Sequence, residues 1–174
     1  KGAWLSLFLL ERGHRVSGVS LSPDRDSLFE KAKIGKLLEN DLRADIRDLD
    51  VLTSSFKGIN PDVVIHLAAQ ALVQKSYKDP LTTYETNVIG TINVLKASQS
   101  LEELRAQLII TTDKVYKNVN KQSGYLESEP LGGHDPYSAS KAMADIATQS
   151  WLSSFENAPT AIARAGNVIG GGDI

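Results

Sequence analysis

Apolar positions along the chain alternate between a helical spacing and short continuous runs. Trp4, Leu5, Phe8 and Leu9 recur at the helical interval over residues 3–12, and Gly13 supplies a stop. Val16 and Val19 mark a short strand over 15–21, between Gly13 and Pro23. Residues 27–36 are polar and predict a helix or an ordered loop, and 37–44 hold a weak strand ending at Asp45. A short helix is expected over 49–56, with Asp48 as its cap. After Pro61, the run Asp62-Val63-Val64-Ile65-His66-Leu67 has the continuous apolar character of a strand buried on both faces. Asp79-Pro80 opens the longest helical pattern, to about Ser98, with Tyr84, Val88, Ile92 and Leu95 as one stripe. Leu108 to Thr112 reads as the next buried strand. Residues 113–135 form a polar, Gly-containing loop of a length usually tied to function. A helix over 137–155, a strand over 160–165 and a Gly-rich segment follow. Strands alternating with helices predict an α/β fold whose parallel sheet is covered on both faces.

Composition narrows the class. Of 174 residues, 41% are hydrophobic and 23% charged, the balance of one globular domain with a real core. The 19 basic and 21 acidic residues leave a formal charge of -2, which argues against a nucleic-acid partner held by a broad basic face. Cysteine is absent, so neither disulfides nor a thiolate metal site is possible, and no metal is expected. The apolar run 4–10 is closed by Glu11 and Arg12 before it could span a membrane. No signal-peptide pattern is present, so the cytoplasm is the default expectation. The chain opens on Lys1-Gly2 just before a helical pattern and closes on Gly170-Gly171-Gly172-Asp173-Ile174. Both ends are those expected of a piece of a longer polypeptide, with 1–174 as one domain truncated at each end.

Tyr137 and Lys141 carry the candidate chemistry. Pro136 can open a helix because its missing N–H is one that a helix start leaves unpaired. Tyr137 and Lys141 then lie one turn apart on the same face. A free phenol, with a pKa near ~10, is a poor base at neutral pH. A neighbouring ammonium favours the phenolate and makes it an acid/base able to take a proton from a sugar hydroxyl. A lone pair of this spacing is commonly just a solvated face, so the strand ends matter. In parallel α/β sheets ligands sit at the carboxyl ends of strands. Those ends read Asp45-Ile46, His66-Leu67-Ala68-Ala69-Gln70, Thr111-Thr112-Asp113-Lys114 and Arg164-Ala165-Gly166-Asn167. Each has a plainer reading: a cap at Asp45, tight packing at Ala68-Ala69, turn formers at Thr112 and Asp113. Their joint placement on the rim that holds Tyr137 and Lys141 outweighs those readings.

Asp45-Ile46, His66-Leu67-Ala68-Ala69, Asn87, Thr112, Tyr137-x-x-x-Lys141 and Arg164-x-x-Asn167 resemble the extended short-chain dehydrogenase/reductase family. More narrowly, Thr112-Asp113-Lys114, the block 132–138 and the block 164–173 resemble its CDP-glucose 4,6-dehydratase subgroup. The resemblance implies a Rossmann-type doubly wound parallel sheet that lacks its first strand and the C-terminal substrate domain. In the order 3-2-1-4-5-6 the first strand lies mid-sheet. The strands at 15–21 and 62–67 would then face a gap with unpaired backbone groups, and the chain made alone is expected to fold poorly and be inactive.

The resemblance further implies an NAD-dependent hydro-lyase converting CDP-glucose to CDP-4-keto-6-deoxyglucose, in deoxysugar and lipopolysaccharide O-antigen synthesis. Tyr137 would be the base at the C4 hydroxyl, tuned by Lys141, with Thr112 bonding the same oxygen. Asp113 would be the acid for the departing C6 hydroxyl. Lys114, where many related dehydratases carry Glu, would be either the C5 base or an electrostatic stabiliser of the enolate; the base role needs burial or Lys141 to lower its pKa. Asp45 and Ile46 would frame the adenine, and Leu67, Ala68 and Ala69 would let the backbone approach the dinucleotide. Asn87 would brace the site, with Thr111, Tyr137, Lys141 and Arg164 completing the cofactor contacts. Gln70, Lys75, Asn167 and the Gly-rich loop would face the sugar nucleotide. Of the family's glycine-rich turn only Gly2 is present, matching a glycine used for close helix packing, and Val19-Ser20-Leu21 lacks the acid that grips the adenosine ribose. That leaves the choice between NAD and NADP open.

A homodimer built on a four-helix interface is common in this family. The stripes at 84–95 and around Met143, Ile146 and Trp151 suit it, and suit a monomer's core equally. The alternatives are a nucleotide-sugar epimerase, another NDP-hexose dehydratase and a non-catalytic NAD-binding sensor. Asp113 and Lys114 argue against the epimerase, and a sensor has no reason to keep Tyr137, Lys141 and Thr112 together.

Overall fold

All strand pairs are parallel, as the alternation of strands with helices demands. The computed structural model describes residues 1–172; Asp173, part of the block 164–173, and Ile174 lie outside the described residues. Strand β1 (Ser17–Ser20) pairs with β2 (Asn40–Arg43), and β3 (Val63–His66), β4 (Ala106–Thr112) and β5 (Thr160–Ala165) pair in that order. The architecture is therefore α/β and Rossmann-like, but as two sheets: β1 and β3, expected to flank an open position, are not hydrogen-bonded to each other. One core spans both. Ile46, Leu52, Phe56, Val64, Val94, Ala97 and Leu101 cluster there, and Val19 of β1 packs against them. β3 departs from the expectation of burial on both faces: Val64 and His66 are buried, but Val63 is exposed, because this strand is an edge of its sheet.

Helix α1 (Gly2–Glu11) forms where its spacing predicts and ends at Gly13, whose φ of 79° is left-handed. None of its residues is buried, and Trp4 and Phe8 face solvent. One long-range tie is a hydrogen bond from Trp4 Nε1 to Gly171 O, 2.8 Å. The glycine run thus leans on α1. The polar segment folds as the short α2 (Leu28–Lys31), capped by Ser27. Helix α3 (Leu49–Ile59) is capped as expected, with Asp48 accepting from the Val51 N–H.

The longest helical pattern is not one regular helix. It runs as α5 (Pro80–Tyr84), a π-helical turn Glu85–Ile89 and α6 (Gly90–Ser98), preceded by α4 (Val73–Lys78), which the periodicity does not predict. Val88 and Leu95 of its stripe are buried, and Tyr84 and Ile92 are half-buried. The π turn carries Asn87, which is fully buried and bonded on both ends of its amide. Such widened turns concentrate at functional sites.

The segment 113–135 is ordered by a bridge between Tyr116 and Leu131, and by bonds from Lys117 N to Pro130 O and Gly132 N to Val115 O. Tyr116 and Tyr125 stack at 5.0 Å, and Lys121 pairs with Glu129 at 2.6 Å. Helix α7 (Pro136–Ser154) follows, with Pro136 in its first turn and Asp135 accepting from the Ser138 N–H and Oγ–H.

Candidate active site

Helix α7 presents Tyr137, half-buried, in its first turn and Lys141, buried, one turn on. The Lys141 ammonium donates to Ile110 O of β4 at 2.9 Å. Burial pushes Lys141 down to about 8; the Lys1 charge adds to that and Asp145 opposes it. Below the helix a buried hydrogen-bond chain holds the first turn. Ser140 Oγ donates to Tyr137 O at 2.7 Å and accepts from Asn87 Nδ2 at 2.8 Å. Asn87 also clamps the backbone of Gln70, accepting from its N–H and donating to its carbonyl. Thr91 Oγ1 spends its one proton on Asn87 O, at 2.7 Å, so the 3.0 Å contact from His66 must have Nε2–H as donor. Burial, with Lys141 nearby, pushes His66 down to about 3, so the ring is neutral at physiological pH.

The end of β4 delivers the next group. Thr112 is buried, donates to Asp113 Oδ1 at 3.1 Å and accepts from the Lys114 N–H. Lys114 Nζ donates to Asn167 Oδ1 at 3.1 Å and lies 3.5 Å from Asp113 Oδ1. Thr112, Asp113, Lys114 and Asn167 therefore form one polar cluster. The Lys114 side chain is 44% exposed and ion-paired. Burial, one of the two ways a base role could be supported, is therefore missing at Lys114.

Several expected ligands are turned elsewhere. The Gln70 side chain faces inward, bonded to Leu72 and to Thr83 Oγ1, and is not presented to a sugar nucleotide. Its amide replaces backbone partners at the start of α4, which explains the inward turn. Arg164 spends its guanidinium on Asp145, Tyr116 and Glu127 O, so its side chain is not free for a cofactor. Thr111 donates to Asp145 Oδ2 at 3.1 Å. The Asp45 carboxylate is gripped by Arg47, which holds it below the usual carboxylate range. Ser20 Oγ accepts from Arg43 Nη1 at 2.9 Å instead of standing free for a ribose. Gly2 does not provide close packing: a Cβ there would meet nothing within 4 Å. Ile46 is buried and packs on Gly90, where a Cβ would lie 2.5 Å from Ile46 Cδ1. Leu67, Ala68 and Ala69 are half-buried after β3, and Lys75 is exposed.

Asp145 lies outside the motifs, and Gly133 falls within the block 132–138 but has no role assigned to it there. Asp145 continues the Tyr137–Lys141 spacing by one more turn, and that spacing is the signal that could have found it. For Gly133 the Gly132-Gly133 pair before the helix start is the signal. A Cβ there would lie 2.2 Å from Ala139 N and 2.4 Å from Ser138 C, so the loop crosses directly over the start of α7. Gly133→Ala in the full-length protein should lift this loop from the helix and disturb the Asp135 cap and Tyr137. The expected cost is about 1–3 kcal/mol of stability and a loss of activity about tenfold or greater. Thermal melts and initial rates check this; a variant with unchanged values would show that the loop has slack.

A family model described as GDP-mannose 4,6 dehydratase matches residues 1–170. The chain is 43% identical over 182 aligned residues to the CDP-glucose 4,6-dehydratase of Salmonella typhimurium, covering 99% of this chain and 50% of that protein. It is 31% identical over 137 residues to the dTDP-glucose 4,6-dehydratase of Haemophilus influenzae, covering 74% of this chain and 40% of that protein. In structure it is similar to the Thermus thermophilus UDP-glucose 4-epimerase in complex with NAD, with a TM-score of 0.79 and 26% identity, over 94% of this chain and 50% of that one. The chain spans about half the length of the curated dehydratase it matches along nearly all of its own.

Proposed function

We propose, since this chain belongs to the GDP-mannose 4,6 dehydratase family, that it is the NAD-binding, Rossmann-type domain of a nucleotide-sugar 4,6-dehydratase acting on CDP-glucose. The observation that carries this reading is the placement of Tyr137 and Lys141 on α7 beside the Thr112–Asp113–Lys114–Asn167 cluster at the ends of β4 and β5. A dinucleotide fits the rim in part. Short Ala68 and Ala69 follow β3, and Asn87 holds the adjoining backbone in place. Asp45 and Ile46 would border the adenine, and Leu67 would adjoin the cofactor with Ala68 and Ala69. Thr111 and Arg164 would reach the cofactor only through their backbones, because their side chains are engaged.

NAD, held by these residues of the rim, would supply the hydride acceptor for C4 and the hydride donor for C6. Tyr137 takes the proton of the C4 hydroxyl, and Lys141, fixed by Ile110 O, favours the phenolate. Thr112 orients the same oxygen. Within the Asp113–Lys114 pair the proton passes to Asp113, which donates it to the departing C6 hydroxyl. The Lys114 amine left behind takes the C5 proton, and the ammonium so formed holds charge for the enolate, steadied by Asn167. Full-length protein incubated with CDP-glucose should yield CDP-4-keto-6-deoxyglucose. A C4 epimer, or binding without turnover, would reject the reading. Epimerisation is the second reading; the acid at Asp113 favours dehydration over it.

The same reading assigns the enzyme to the cytoplasm and to deoxysugar synthesis for O-antigen. Among the described residues no helix is long and apolar enough to cross a membrane. A homodimer belongs to the proposal too. Leu81 on α5, Ile89 in the π turn, and Met143 and Ile146 on α7 are all exposed, and these elements pack together. The full-length protein should sediment as a dimer and Ile146→Lys as a monomer; a wild-type monomer would contradict this.

A further inference from the structure

We propose that Asp145 and Arg164 are the positioning pair of this site, tying the helix of Tyr137 and Lys141 to the strand ends of Thr112 and Asn167 and to the aromatic stack of the overlying loop. The proposal rests on the dehydratase reading for its kinetic test. Asp145 is fully buried, and both its oxygens are used. Oδ2 accepts from Arg164 Nε at 2.8 Å and Thr111 Oγ1 at 3.1 Å; Oδ1 accepts from Arg164 Nη2 at 3.0 Å and Gln149 Nε2 at 2.7 Å. This is the bidentate fork of arginine on carboxylate, which fixes direction as well as distance.

The outer edge of Arg164 faces the loop. Nη1 donates to the Tyr116 hydroxyl at 3.1 Å and to Glu127 O at 2.8 Å. The guanidinium lies 5.0 Å from the Tyr116 ring centroid, Tyr116 stacks on Tyr125, and Lys121 Nζ sits 4.4 Å from the Tyr125 centroid. A cation–aromatic–aromatic–cation stack thus runs from the buried pair into the segment above the site.

Four members of the network lie within four residues of a candidate catalytic or substrate group. Thr111 precedes Thr112, Tyr116 follows Lys114, Arg164 lies shortly before Asn167, and Asp145 is one turn from Lys141. A buried ion pair is poor value as a stabiliser, because desolvation offsets most of the attraction. Here it sets geometry and charge. The titratable groups that act on Lys141 are Tyr137 and Asp145 on its own helix, Lys1 before α1 and His66 on β3; His66 is neutral and Lys1 repels. Asp145 is then the anion that favours the Lys141 ammonium. Arg164, bound to that anion, limits how strongly.

The test uses full-length holoenzyme with NAD and CDP-glucose. Asp145→Asn should lower kcat about tenfold or more with little change in KM, and move the alkaline limb of kcat to lower pH. Arg164→Lys, which keeps charge but not the fork, should recover part of the loss seen in Arg164→Gln. The double variant D145N/R164Q should lose no more than the worse single variant, as a unit does. An unmoved alkaline limb in Asp145→Asn, or losses that multiply in the double variant, would overturn the proposal. Should Asp145→Asn not fold, Arg164→Lys carries the test through hydrogen exchange. Residues 116–131 must exchange faster, and unchanged protection overturns the pair. That readout needs no turnover, so a wild-type enzyme making no 4-keto-6-deoxy product would reject the dehydratase reading alone.

Discussion

Replacing Tyr137 with phenylalanine in the full-length protein is expected to cut turnover of CDP-glucose about 10²–10⁴-fold, the usual worth of a positioned general base. The affinities for NAD and sugar nucleotide should stay within a factor of about three, because the ring is kept and only the hydroxyl is lost. Stability should barely change. The backbone of Tyr137, not its hydroxyl, holds the buried chain through Ser140 Oγ and Asn87. The loss should appear in the first step. Single-turnover mixing followed at the absorbance of reduced nicotinamide would show no transient in the variant. An undiminished rate would remove Tyr137 from the mechanism and the 4,6-dehydratase assignment with it.

Lys141→Met should act on activity and stability in opposite directions. Turnover should fall at least as far as in Tyr137→Phe, because the charge that favours the phenolate is gone. Stability at neutral pH should rise. Lys141 is held down to about 8, first by burial, while an unfolded lysine keeps its proton to a pH near ~10.4. Between about pH 8 and 10.4 the unfolded chain binds the extra proton, so this group makes stability rise with pH across that window. Below pH 8 both states are charged and the fold bears the full penalty, about 3 kcal/mol for the shift. Methionine removes the penalty but leaves Ile110 O without its donor, which returns about 1–3 kcal/mol. The net expectation is a gain of about 1 kcal/mol at pH 7 that reverses by pH 10.5. Thermal melts of both proteins at the two pH values measure it. The wild-type rate should fall above about pH 8, as Lys141 loses its proton. A variant less stable at pH 7 and still active would show the ammonium to be neither penalised nor used.

The strands and α7 were legible because their signals are local. Thr160–Ala165 and Asp135-Pro136 mark their element by composition and capping alone. The helical run after Asp79 was legible as a helix but not as a π turn; that turn carries Asn87, whose partners Gln70 and Ser140 are far off in sequence. The stripe of α1 was legible too, yet it stays unburied. Periodicity states which face could be buried, and only a facing surface buries it.

The amino-acid sequence by itself determined the alternation of elements, the rim on which polar residues collect, and the Tyr137–Lys141 pairing, since each depends on spacing within one element. Tertiary structure alone decided which side chains stand free at that rim. Arg164 and Gln70 look identical in kind to open ligands along the chain, but buried polar groups must find partners, and Asp145 and Thr83 lie nearest in space. The roles of such residues therefore follow from packing between distant segments.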